Sequence, residues 1–110
     1  MAINMTKNDI RIFYEEVFAK QNIDYVRNVI APYYIQHNPG VEGGRDGFIK
    51  TFADAFASGK KFSIEVEDII LGEDMAAVIL KNPRGPFSVV DFYRINAKGQ
   101  LCEHWDVFSR

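Results

Sequence analysis

The hydrophobic period of this chain changes once, near Lys61, and that change limits what it can fold into. Before it, apolar residues recur at helical spacing; after it, they alternate. In residues 6–20 (TKNDIRIFYEEVFAK), Ile10, Phe13, Tyr14, Val17 and Phe18 form one stripe at the spacing of an amphipathic helix. Thr6 or Asn8 offers an N-cap, and Asp9 suits the positive end of the helix dipole. Residues 23–31 predict a second, shorter helix with Ile23, Val26, Val29 and Ile30 inward. Pro32 ends it by forcing Ala31 out of helical geometry. Tyr33 to Gln36 predict a short extended piece, and residues 37–47 (HNPGVEGGRDG) are a loop rich in turn formers. A third helix is expected over about 45–58, burying Phe48, Ile49, Phe52, Ala55 and Phe56 and stopped by Ser58-Gly59.

Beyond Lys61 the pattern predicts four strands, over residues 62–71, 75–81, 87–95 and 100–109. In the first, Phe62, Ile64 and Val66 alternate with Ser63, Glu65 and Glu67. The second is a continuous apolar run that suits the middle of a sheet. Turns are expected at Gly72-Glu73-Asp74, at residues 82–86 (NPRGP) and at Asn96-Ala97-Lys98-Gly99. Helices followed by an antiparallel meander make an α+β domain, with the helices on one face of the sheet. Aromatic residues are 14% of the chain and fall on the strand and stripe positions, which suggests a sheet curved around the helices.

At 110 residues, 47% of them apolar, the chain is one domain (residues 1–110) with enough apolar surface for a core. Thirteen Lys and Arg against fifteen Asp and Glu, with no basic stripe, argue against a nucleic-acid partner. One cysteine, Cys102, forms neither an internal disulfide nor an all-cysteine zinc site. It fits a reducing compartment. Met1 to Met5 lack the pattern of a signal peptide, and no stretch approaches the ~20 apolar residues of a membrane helix. The expectation is a cytoplasmic domain with neither membrane nor nucleic acid as partner.

Asp91 lies inside VVDFY, on a strand face it shares with Phe87, Val89, Tyr93 and Ile95. A carboxylate there is either paired in the interior or lines a cavity, because an unpaired buried charge is too costly. On the last strand, Cys102, His104, Asp106 and Phe108 share one side; Leu101, Glu103, Trp105, Val107 and Ser109 share the other. The hairpin register decides whether the two polar sets meet. A three-residue loop, Ala97-Lys98-Gly99, places Asp91 opposite Trp105. One added residue or one bulge places Asp91 opposite Asp106, Tyr93 opposite His104 and Arg94 opposite Glu103. The second register is preferred, because it gives Arg94 an oppositely charged neighbour and gathers the uncommon polar groups on one side. Two carboxylates and an imidazole then face a shared apolar space. They either perform acid–base chemistry or satisfy one another in a polar seam. His37 is a pocket group or a polar cap on the rim. Cys102 reads as a small core residue. Trp105, Phe92 and Val107 fall on the opposite face, which needs cover; a second subunit packing sheet to sheet is the simplest source.

The segments YYIQHNPGVEGGRDGFIKTF and VVDFYRINAKGQLCEHWDVF resemble the SnoaL-like polyketide cyclase family, within the nuclear transport factor 2-like superfamily. The resemblance runs from about Tyr14 to Phe108. It implies a cone-like α+β fold with three N-terminal helices against a strongly curved antiparallel sheet, an internal pocket, and often a dimer. It also implies ring closure by intramolecular aldol condensation without metal or cofactor, with Asp106 of EHWD as general acid/base. Asp91 corresponds to a second cavity position, where the cyclases commonly carry histidine. His37, in the family's QHNP element, enters as a pocket residue. Related sequences also tend to have a histidine in the strand before NPRGP, and VILKNP has none.

The expected catalytic residues are therefore Asp106, His104 and Asp91. The expected substrate contacts are His37, Tyr34, Tyr93 and Trp105, with no metal and no cofactor. Asp106 would abstract a proton next to a carbonyl in a small apolar compound; His104 or His37, with Tyr34, would stabilise the enolate oxygen or reprotonate it. The expected assembly is a homodimer through the sheet. The alternative is a non-catalytic protein that binds a small apolar ligand in the same pocket.

Overall fold

The computed structural model describes residues 5–37, 41–61, 64–81 and 89–108. The turns expected at Asn38-Pro39-Gly40 and over residues 82–86, and the strand positions of Phe62, Ser63, Phe87 and Ser88, lie outside the described residues. So does Ser109.

Thr6 is the N-cap of helix α1 (Lys7–Tyr14). Its Oγ1 accepts from the Asp9 backbone N–H at 3.1 Å, and Asp9 Oδ2 accepts from the Thr6 N–H at 2.8 Å. This reciprocal box satisfies two otherwise orphaned donors and fixes where the helix starts. The helix then widens into a π turn, Glu15–Ala19, which closes on the buried Val17 and Phe18. The second helix is shorter than its pattern: a 3-10 helix, Ile23–Asn28, after which strand β1 (Ile30–Gln36) has already begun. Pro32 does not terminate a helix here; it sits inside a strand. Val29 and Ile30 are β-branched and favour extended backbone, and β1 lies at the sheet edge, where a missing N–H is tolerated.

Helix α2 spans Gly44–Ala57 and packs against β1. Its entry is tight: a Cβ at Gly47 would lie 2.7 Å from Glu42 Cβ and 2.8 Å from Glu42 O. Only glycine allows the loop to approach the helix this closely. Strands β2 (Glu65–Leu71), β3 (Met75–Lys81), β4 (Val89–Ile95) and β5 (Leu101–Phe108) follow. The sheet order is β1-β5-β4-β3-β2. The last four strands form the expected antiparallel meander, with β3 in the interior of the sheet. β1 departs from it and pairs parallel with β5. No hairpin links these two strands, so nothing local imposes antiparallel direction on them.

Two bulges set which residues face inward. In β2 the register shifts between Val66 and Asp68. The inward parity changes there: Ile69 is buried while Ile70 is 61% exposed. In the β4–β5 hairpin the loop is Ala97-Lys98-Gly99, with Gly99 at φ 76°, as the short loop requires. Ile95 faces Leu101, but Arg94 faces Glu103, so Cys102 is the extra residue. From there on, Tyr93 faces His104 and Asp91 faces Asp106. The preferred register holds, reached by a bulge. The bulge also moves Leu101 into the core, against the simple alternation, and leaves Cys102 buried but outside the main apolar cluster.

That cluster joins the stripe of α1, the start of α2 and the inner face of the sheet. Ile10, Phe13, Val17, Val26, Ile30, Val78 and Leu101 are fully buried. Each contributes about 1.5–3 kcal/mol by leaving water. Phe13, Phe18, Phe48 and Phe52 meet in edge-on and tilted ring contacts beneath β4 and β1. Among the described residues no helix is long and apolar enough to cross a membrane.

Candidate functional site

Tyr14 ends α1, and its ring reaches from the helix layer to β4. Its hydroxyl donates to Asp91 Oδ2 and lies 2.7 Å from the Tyr93 hydroxyl. A phenol has one proton, and Tyr14 spends it on Asp91, so Tyr93 donates to Tyr14. The other Asp91 oxygen, Oδ1, lies 3.0 Å from His104 Nε2. His104 Nδ1 in turn lies 2.7 Å from Gln36 Oε1, on β1. Three strands and one helix thus converge on one buried line: Tyr93, Tyr14, Asp91, His104, Gln36. Asp91 and His104 are 8% and 7% exposed. Asp106, one inward position beyond His104 on β5, is half-buried.

Burial, reinforced by Tyr93 and the Asp91 charge, raises the Tyr14 phenol well above its ordinary value. Burial and the Asp91 charge do the same to Tyr93, and burial with the charges of Asp91 and Asp106 does so to Tyr34. All three stay protonated near neutrality, and the Tyr14 and Tyr93 hydroxyls carry hydrogen bonds of the line. Burial also raises the Cys102 thiol, which suits a packed side chain and not a nucleophile. Asp91, His104 and Asp106 each bring one ligand-type atom within 4.8 Å of the others. They are the residues that could hold a divalent cation.

The structure brings Asp91, His104, Asp106, Tyr93 and Tyr34 to the inner face. It places His37 and Trp105 on the other side of the sheet. His37 Nε2 lies 2.7 Å from Glu103 Oε2, and its ring stacks on Trp105 with centroids 5.0 Å apart. Arg94 donates from Nε to Glu103 Oε1 at 3.2 Å and lies over the Trp105 ring. The reason is parity: His37, Glu103, Trp105 and Arg94 alternate with Gln36, His104, Asp106 and Tyr93. The contact with His37 is the leading cause that holds the Glu103 carboxyl below its ordinary range, with Arg94 adding to it.

Two residues of the inner network, Tyr14 and Gln36, are absent from the sequence-based site. The signal for Tyr14 was a polar tip within an apolar stripe, since a buried phenol hydroxyl needs a partner. Gln36 shares its strand face with the buried Tyr34 and so points inward with it.

Known proteins share this fold. Residues 10–104 match the SnoaL-like domain family. None of the curated proteins matches the chain's sequence. Among solved structures, TsrD from Streptomyces laurentii superimposes with a TM-score of 0.73 at 16% identity, covering 96% of this chain and 92% of its own. A SnoaL-like polyketide cyclase from Agrobacterium tumefaciens gives 0.69 at 17%, covering 96% and 93%. An NTF2-like protein of unknown function from Cytophaga hutchinsonii gives 0.70 at 12%, covering 99% and 95%. At these identities the likeness is one of fold, whereas the sequence match spans most of the chain: this protein belongs to the SnoaL-like family.

Proposed function

We propose that this protein is an acid–base enzyme of aldol-cyclase or isomerase type, acting on a small apolar carbonyl compound. One observation carries the reading: Asp91, His104 and Asp106 converge within 4.8 Å on the inner face of the sheet, beside an aromatic core. Asp106, less buried than the other two, is the group a substrate meets first. It removes a proton from the carbon next to the carbonyl. The developing enolate oxygen accepts a hydrogen bond from His104 or from the protonated Tyr34. In a cyclisation the enolate carbon attacks a second carbonyl of the same molecule, and the new alkoxide takes a proton from the site. An apolar surround strengthens each of these contacts. Membership of a family that includes polyketide cyclases supports the reading.

Deuterium uptake at the activated carbon of apolar β-dicarbonyl probes, followed by NMR, tests it. The wild type should accelerate exchange, and Asp106→Asn should lose on the order of 10²–10⁴ of that rate while remaining folded. Equal rates in both would remove Asp106 from the chemistry. One observation favours a second reading, a binding protein for an apolar ligand: both Asp91 oxygens are already engaged, by Tyr14 and His104. Binding of such probes without exchange would support it.

The assembly we propose is a homodimer through the outer sheet face. Tyr33, Ile35, Ile70 and Val107 are 48–61% exposed there. Sedimentation of the wild type against Val107→Lys tests this; a monomeric wild type overturns it.

A further inference from the structure

The inner side of the site gathers Tyr14, Tyr34, Tyr93 and His104, and all but Tyr34 are committed to a neighbour. Tyr93 donates to Tyr14, and Tyr14 donates to Asp91. Both ring nitrogens of His104 are engaged, by Gln36 and by Asp91, whichever way the Gln36 amide is turned. Tyr34 is 2% exposed, and its hydroxyl has no hydrogen-bond partner among the described residues. It is not sealed off, as the unpaired Arg45 Nε is, so the small exposed part of Tyr34 includes its oxygen. The ring stands edge-on to Phe48, with centroids 6.0 Å apart, on the same face of β1 as Gln36. The charges of Asp91 and Asp106 both bear on the phenol, which puts its oxygen on the side of the carboxylates.

A buried donor without a partner is costly, and native proteins hold few of them. Phenylalanine would keep the ring packing and avoid that cost, so packing does not account for the oxygen. We infer that the Tyr34 hydroxyl, and not His104, is the catalytic donor that binds the carbonyl oxygen of the substrate. The inference rests on the acid–base reading above and names its oxygen site. The neutral carbonyl accepts one hydrogen bond from Tyr34. As Asp106 takes the proton from the neighbouring carbon, charge gathers on that oxygen, and the bond becomes charge-assisted and stronger. The gain is greatest in the transition state, where a donor raises kcat. Tyr34 keeps its own proton throughout, and the proton held by Asp106 returns to the product. A hydrocarbon of the same shape leaves Tyr34 unpaired and is held less tightly.

Two measurements test this. The first is thermal unfolding of the free protein. Tyr34→Phe should melt at or above the wild-type midpoint, whereas Tyr14→Phe, which takes a donor from Asp91, should melt below it. A Tyr34→Phe midpoint as low as that of Tyr14→Phe would give the hydroxyl a structural partner and overturn the inference. The second compares β-tetralone, an apolar ketone, with tetralin, which lacks the oxygen, by equilibrium dialysis. The wild type should prefer the ketone on the order of 10-fold, and Tyr34→Phe should bind the two alike. Deuterium exchange into β-tetralone should slow on the order of 10²–10³-fold in Tyr34→Phe, through kcat. A wild type without the preference, or a Tyr34→Phe protein that retains it, overturns the inference. Dialysis needs no turnover. A Tyr34-dependent preference without exchange would therefore sink the enzymatic reading and leave the oxygen site standing. Exchange that is indifferent to Tyr34→Phe would do the reverse.

Discussion

The two sides of the sheet at the β4–β5 hairpin gather the same kinds of side chain in opposite surroundings. Inside, a carboxylate (Asp91), a histidine (His104) and a tyrosine (Tyr93) are bonded to one another's neighbours with almost no water access. Outside, a carboxylate (Glu103), a histidine (His37) and a tryptophan (Trp105) form a cluster of similar distances, but His37 and Arg94 are 44% and 43% exposed. Equal geometry does not mean equal energy. Water competes for every outer contact and screens its charge, whereas an inner group that loses its partner finds no replacement.

The largest expected contrast comes from Asp91→Ala. It leaves Tyr14 and His104 facing a gap, and urea unfolding should show a loss of about 3–5 kcal/mol. A loss as small as that of an exposed substitution would erase the distinction between the faces. Next is the alkaline limb. The phenols of Tyr14, Tyr34 and Tyr93 are raised when folded, and ionise at their ordinary value once exposed. Their contribution is full below about pH 10 and falls as pH rises, by about 1.4 kcal/mol per pH unit for each phenol. Unfolding midpoints above pH 10 should decline less steeply in Tyr14→Phe than in the wild type.

The smallest effect is expected outside. Glu103 is held below its ordinary range, so its contribution is present above that range and is lost as pH falls through the folded value. Glu103→Gln should lower the thermal midpoint slightly at neutral pH, and the difference from wild type should vanish in acid. A difference that grows in acid would mean that His37 and Arg94 do not stabilise the carboxylate.

Much of this hairpin was legible in the sequence because its constraints are local. The loop length, Gly99, the charge match of Arg94 with Glu103 and the odd polarity of Asp91 all lie within twenty residues of one another. β1 was not legible in the same way. Its neighbour β5 is far away in sequence, and no local pattern records either that pairing or its parallel direction. The side of the sheet that His37 takes follows from the pairing, so its place beside Trp105 was hidden too. The π turn after Tyr14 also escaped, since Val17 and Phe18 fit an ordinary helical stripe equally well. Tyr14 and Gln36 looked like filler and strand, because a polar tip shows its purpose only when its acceptor is known.

The extra residue at Cys102 works like the offset scale of a vernier. Between the loop and Cys102 the two strands count in one step, and beyond it in another. Only the second count brings the acids and the imidazole to the same address. Were Cys102 paired as an ordinary residue, opposite Arg94, Asp91 would face Trp105, and His104 and Asp106 would fall on the wrong side of β5. The site is therefore encoded as much by how the two strands pair as by residue identity. The same named groups, paired without this bulge while Cys102 is kept, would no longer share one face.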